Sequence, residues 1–158
     1  MGRAIAFAGL CTVVMFAGCG GGGGAAGEPL LSGSLTGTFK SQAFTPAFGV
    51  ATVYQSQNLI AFGDGPVNCA SPQQADPPPG TTAVVTVPML AAGSYSSLFV
   101  QLIRSSPSSF DGVGSSDGTV TISAASSTSV AGTIAYSYTD TQSQQYAVSG
   151  AFEVMRCP

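Results

Sequence analysis

The chain has 158 residues, of which 44% are hydrophobic and only 7% are charged, with 4 Lys+Arg against 7 Asp+Glu and no histidine or tryptophan. A formal charge of −3 without grouped cations argues against nucleic acid as a partner, because phosphate contacts need clustered Lys and Arg. Without histidine, neither a Ser-His-Asp nor a Cys-His nucleophile site can be assembled in one chain, and the usual zinc ligand is missing.

In chain order, the first feature is an apolar run from Ala4 to Ala17, preceded by Arg3 and followed by Gly18 and Cys19. About 14 apolar residues suit the core of an export signal and fall short of the roughly 20 that span a bilayer. Met15-Phe16-Ala17-Gly18-Cys19 resembles the lipobox of bacterial lipoproteins, with Phe16 where Leu is usual. The resemblance implies that residues 1–18 are a lipoprotein signal peptide and that Cys19 carries the lipid. Gly20, rather than an aspartate, after that cysteine implies the outer membrane. The alternative is a periplasmic or secreted soluble protein cut near Ala25-Ala26-Gly27. The body keeps Lys40, Arg104 and Arg156 against seven acids, so its net charge gains nothing from anionic headgroups and the acyl chains must do the anchoring.

Gly20 to Gly24 opens a spacer, residues 19–33, that cannot form a core, because glycine loses the most backbone entropy on ordering. At about 14 residues it reaches roughly 20 Å from end to end. With Cys11 in the signal and Cys19 lipidated, Cys69 and Cys157 remain, and two thiols in an exported chain point to one disulfide. Two unpaired thiols, or a metal pair, are the other readings.

From residue 34 to 158 no period of 3.6 recurs. Alternation and β-branched residues dominate, and 21 serines and 14 threonines disfavour long helices. The pattern predicts strands over 34–40, 47–56, 58–63, 82–87, 97–104, 118–124, 129–138 and 145–156, with breaks at Gly63-Asp64-Gly65-Pro66, at Pro77-Pro78-Pro79-Gly80 and over 105–117. The expected fold is all-β: a single antiparallel β-sandwich or barrel-like domain of about eight short strands. Three segments share an apolar–small–Gly–small–apolar pattern: Leu35–Phe39, Val130–Ile134 and Val148–Phe152. Their ends and central glycines should face inward, with the glycines making room for aromatic rings, and the last two should pair as a hairpin around 139–145. The body is similar to the small β-rich domains of bacterial lipoproteins, a likeness of pattern that implies no activity.

Few residues suggest chemistry. Gly114-Ser115-Ser116-Asp117-Gly118 matches a nucleophile elbow but meets a strand rather than a helix and has no base. Asp111 and Asp117 lack the oxygen spacing of a calcium loop and read as turn formers. Tyr136, Tyr138 and Tyr146 are the first candidates for a ligand-binding surface, against a commoner role as core or rim tyrosines. The expectation is a non-enzymatic envelope lipoprotein, structural or binding, with no cofactor and no metal. Its partners would be the membrane through Cys19 and an envelope protein or glycan. The alternative is a carbohydrate-binding domain or hydrolase using Asp and Tyr residues.

Overall fold

The structure, a computed structural model, describes residues 31–70, 72 and 79–158. Cys19, the signal, most of the spacer, Asp76, Pro77 and Pro78 lie outside the described residues.

The described chain is all-β, with ten strands: β1 (Ser32–Gly33), β2 (Thr36–Phe39), β3 (Gln42–Phe44), β4 (Phe48–Tyr54), β5 (Gln57–Gly63), β6 (Gly80–Val87), β7 (Gly93–Ser106), β8 (Ser109–Ala125), β9 (Ser129–Thr139) and β10 (Gln145–Arg156). Strands β4 to β10 run as an antiparallel meander, and β10 returns to pair with β4, closing a seven-stranded barrel. Directions alternate along a meander, so the first and last of an odd number of strands run the same way. The closing pair is accordingly parallel, and it is short: Met155 faces Val50 and Arg156 faces Ala51. The expected architecture is thus realised as a closed barrel with three added strands. β7 and β8 are much longer than anticipated, at 14 and 17 residues, whereas β2 and β4 are shorter than the spans 34–40 and 47–56.

The rest of the β10 edge is covered by the added strands. β1 pairs at Phe152 and Glu153, and β2 pairs at Ala147–Ser149, both antiparallel. Between them the chain turns closely over Gly150, which has φ +128, where a Cβ would lie 2.3 Å from the Ser34 carbonyl oxygen. The Leu31 amide donates to the Ala47 oxygen, tying β1 to the start of β4. Covering this edge removes a row of unpaired backbone groups that would otherwise recruit another chain.

The interior follows strand alternation. Phe62, Val85, Val100, Leu102, Val120, Ile122, Val148 and Val154 point inward and are buried, and the Phe62 and Phe152 rings meet at 5.1 Å between centroids. Each such aliphatic or aromatic side chain contributes about 1.5–3 kcal/mol on burial. A second, smaller core lies outside the barrel wall. Leu59-Ile60-Ala61-Phe62 is apolar on both faces, and its outward members Leu59 and Ala61 join Val50 and Val84 beneath Val67 and Cys157. The Cys69–Cys157 disulfide fastens this cover, with its Cα atoms 5.6 Å apart, within the usual bridging range. It closes a sequence separation of 88 residues, worth roughly 4–5 kcal/mol on the chain-entropy account.

The break expected over 105–117 narrows to a turn at Pro107-Ser108. The Gly, Ser and Asp content of that stretch reads as turn, yet residues from Ser109 onward pair with β7 in an unbroken run from Ser106/Ser109 to Val100/Ser115. A long neighbouring edge overrides weak strand propensity. The glycine motifs behave in part as expected. Their ends are buried, and β9 and β10 form the hairpin, with Val148 facing Tyr136. Only Gly37 makes room for a ring, that of Phe44, whereas Gly132 and Gly150 admit neighbouring backbone.

Two hairpins turn through pairs of non-glycine residues with positive φ: Lys40 (49°) and Ser41 (62°), and Gln55 (48°) and Ser56 (65°). Type I′ turns favour Asn-Gly at such positions. Replacing Gln55-Ser56 with Asn-Gly is expected to raise stability by roughly 0.5–1 kcal/mol, read as a higher urea midpoint at unchanged slope. Gly132→Ala is expected to lower it by about 1–3 kcal/mol, because the new Cβ would sit 2.1 Å from the Thr121 carbonyl oxygen.

Candidate functional site

Charge is scarce in this chain, and it is not evenly spread. Lys40, Asp64, Arg104, Asp111 and Asp140 stand at one end of the barrel, here the upper end, where β5, β7 and β9 finish. Asp117, Glu153 and Arg156 are the remaining charged residues among those described.

The β2–β3 hairpin lies across this end and is held there from three sides. Arg104 on β7 donates from Nη1 to Gln42 Oε1 (2.7 Å) and from Nε to Thr81 Oγ1 (2.8 Å), and its guanidinium stacks 4.7 Å from the Phe39 ring centroid. This uses both the directional donors and the planar face of arginine, a combination lysine does not offer. Lys40, in the turn, pairs with Asp111 on β8. The Ser41 amide donates to the Gln145 oxygen on β10 at 2.9 Å. Below the hairpin, Phe39 meets Tyr146 edge to face at 5.3 Å. Asp64 accepts the Thr81 backbone amide at 2.6 Å, so the backbone of the residue whose hydroxyl receives Arg104 is itself held by a carboxylate.

The β9–β10 turn supplies the other acid. Asp140 Oδ1 accepts the amides of Gln142 (2.8 Å) and Gln144 (2.9 Å), and Tyr146 donates its hydroxyl to Oδ2 (3.2 Å). The Gln144 amide foremost, with that of Gln142 and the Tyr146 hydroxyl, holds the Asp140 carboxyl below the usual aspartate range. Burial, followed by the adjacent Asp140 carboxylate, pushes the Tyr146 phenol up. The hydrogen bond from Lys40 to Asp111 raises the ammonium. Tyr136 is likewise raised, chiefly by burial.

The three tyrosines singled out from sequence do converge, but within the barrel. Tyr136 and Tyr146 are each only 3% exposed, and Tyr138 is half-buried with its ring 6.2 Å from that of Tyr146. The Tyr136 hydroxyl is 3.3 Å from Ser115 Oγ, which donates to Asp117 at 2.6 Å. Asp117 and Asp111 therefore each hold a side chain of the fold. Sequence reasoning did not find Arg104, Gln42 or Asp64 as members of the cluster. The available signal was the scarcity of cations, two of which meet at this end. Chemically the arrangement is a clamp: each charged group here faces a partner of opposite charge or a hydrogen-bonding group of the fold. No group of three or more His, Cys, Asp or Glu is placed to hold a metal among the described residues.

Comparison with protein-family models, with curated proteins and with solved structures finds no match.

The shifts set a pH window. Asp140, with its lowered pKa, contributes stability that is present above the ordinary aspartate value near pH 4 and is lost as pH falls below it. Tyr146, Tyr136 and Lys40, with raised values, contribute stability that is complete below about pH 10 and is lost as pH rises beyond. Urea midpoints measured against pH should therefore form a plateau between these limits. Asp140→Asn should flatten the acid limb, and Tyr146→Phe should flatten part of the alkaline limb.

Proposed function

We propose that this chain is an exported cell-envelope lipoprotein, held at the outer membrane through acylated Cys19, whose barrel serves as a non-catalytic structural or binding module. The observation that carries the reading is the Cys69–Cys157 disulfide, a bond that persists in oxidising compartments outside the cytosol. It agrees with the apolar run and the Ala17-Gly18-Cys19 box, which direct export and lipidation. The non-catalytic part rests on how the acids are used. Asp64, Asp111, Asp117 and Asp140 each engage a side chain or amide of the fold rather than a shared cleft. A glycosidase, in contrast, sets two carboxyls facing each other across substrate.

Intact-mass analysis of the membrane fraction tests this. The wild-type chain should begin at Cys19 and carry acyl mass, and Cys19→Ser should lose that mass and leave the membrane fraction. A mature form beginning at Glu28 without acyl mass would replace the anchored reading with secretion.

A further inference from the structure

The pairing of β8 is uneven. β7 accompanies it from Ser109 to Ile122, whereas β9 joins it only from Thr119 to Ala125. Above the Thr119/Ala135 pair the two strands part: β9 stays with β10 through Thr139, and residues 109–118 of β8 have β7 on one side only. The barrel wall therefore opens as a wedge, with a free strand edge roughly 30 Å long. Proteins blunt such edges with lysine, proline, bulges, inward-pointing charges or brevity. Residues 109–118 contain no lysine and no proline, the β7–β8 register is regular from Ser109 to Ser115, and the acid Asp111 is already paired with Lys40. Gly112 and Gly114 leave the main chain exposed. The free edge of β3, in contrast, is only three residues long.

We infer that the free edge of β8 is a strand-acceptor site for an extended segment of a partner protein, one that carries bulky apolar residues and a terminal basic residue. Main-chain hydrogen bonds along the edge supply affinity, and side-chain sites beside it supply selectivity. On the outer face, Phe110 is 59% exposed and Phe99 is 48% exposed, with the Phe99 ring over Gly114. Between them Gly112 is open, since a Cβ there would meet nothing closer than the Leu102 oxygen at 3.4 Å. A strip without side chains, flanked by aromatic rings, receives bulky side chains from a neighbouring strand. At the foot of the wedge, Asp117, Thr119, Ser137 and Ser149 line a depression of about 410 Å³. Asp117 accepts the Ser115 hydroxyl at 2.6 Å, and Lys40–Asp111 is the one ion pair among the described residues, so Asp117 is left for a cation from outside. Charge excludes two other occupants. A second copy would bring another β8, which has no Lys or Arg and sets acid beside acid, and residues 19–30 of this chain carry Glu28 alone. The inference rests on the binding-module reading and names the chemistry of its partner.

The test titrates the full chain, purified from membranes in detergent, with the fluorescein-labelled peptide Lys-Thr-Val-Thr-Tyr-Thr-Val-Thr-Lys. This peptide should bind severalfold more tightly than the same peptide with glutamate for lysine. Asp117→Asn should weaken it by roughly two- to fivefold, the range of one exposed ion pair, and Asp117→Lys should reverse the preference. N-methylating every other amide of the peptide, in one phase or the other, should abolish binding. Amide exchange should show new protection within residues 109–118. No binding, equal binding by both N-methylated forms, or protection confined to other strands would overturn the assignment. So would protection of 109–118 without peptide in a protein that sediments as a dimer, which would give the edge to a second copy. Intact mass of the same samples keeps the two claims separate. Acylated protein that ignores the peptide removes the acceptor site alone, whereas peptide binding by a chain without acyl mass removes the lipid anchor alone.

Discussion

A meander of seven strands can close only through one parallel pair, and here that pair is two residues long. Parallel ladders are slightly less stable per residue than antiparallel ones, so the β10–β4 seam is the place where the barrel would open first. Much of the remaining structure reinforces it. The Cys157 amide extends the seam by donating to the Ala51 oxygen at 2.8 Å, and the disulfide then fixes Cys157 to the segment that covers β4, β5 and β6. Val50, Leu59, Ala61 and Val84 form a dry patch beneath that cover, which makes the outer wall at the seam a second core rather than a wet surface.

The opposite half of the β10 edge meets the same problem with a different solution. There β4 diverges, and β1 and β2 occupy the vacated hydrogen-bonding positions. The β2–β3 hairpin then continues over the upper end, where Arg104, Lys40 and Asp140 secure it and its neighbouring turn. A chain with so few charged residues thus places most of those described where they tie separate strands together. The clamp leaves the charged groups of the upper end engaged with one another and with the fold.

The sequence carries some of this plainly. β9 and β10 alternate so regularly that their limits match the pattern to within a residue, because one face of each is buried along its whole length. The disulfide was legible by elimination among four cysteines, once Cys11 was assigned to the expected signal and Cys19 to the expected lipid. The first half of β8 was not, since Gly112, Gly114 and Ser115 resemble a loop until the edge of β7 is known to lie beside them. β3 escaped notice for a related reason: its turn uses Lys40-Ser41 where a hairpin signal would be Asn-Gly. The clamp was the least legible feature, because Gln42 and Arg104 are 62 residues apart and nothing local joins them. Tyr136, Tyr138 and Tyr146 illustrate the reverse case: alternation placed them on one face, but only the closed barrel makes that face an interior.

The dependence of the barrel on its seam is tested most directly by amide hydrogen exchange under native conditions, with the Cys69–Cys157 bond intact and then reduced by a dithiol. Reduction is expected to accelerate exchange first at the Cys157 amide and along β4, while the β7–β8 ladder keeps its protection. Uniform loss of protection across all strands, or an unchanged rate at Cys157, would contradict it.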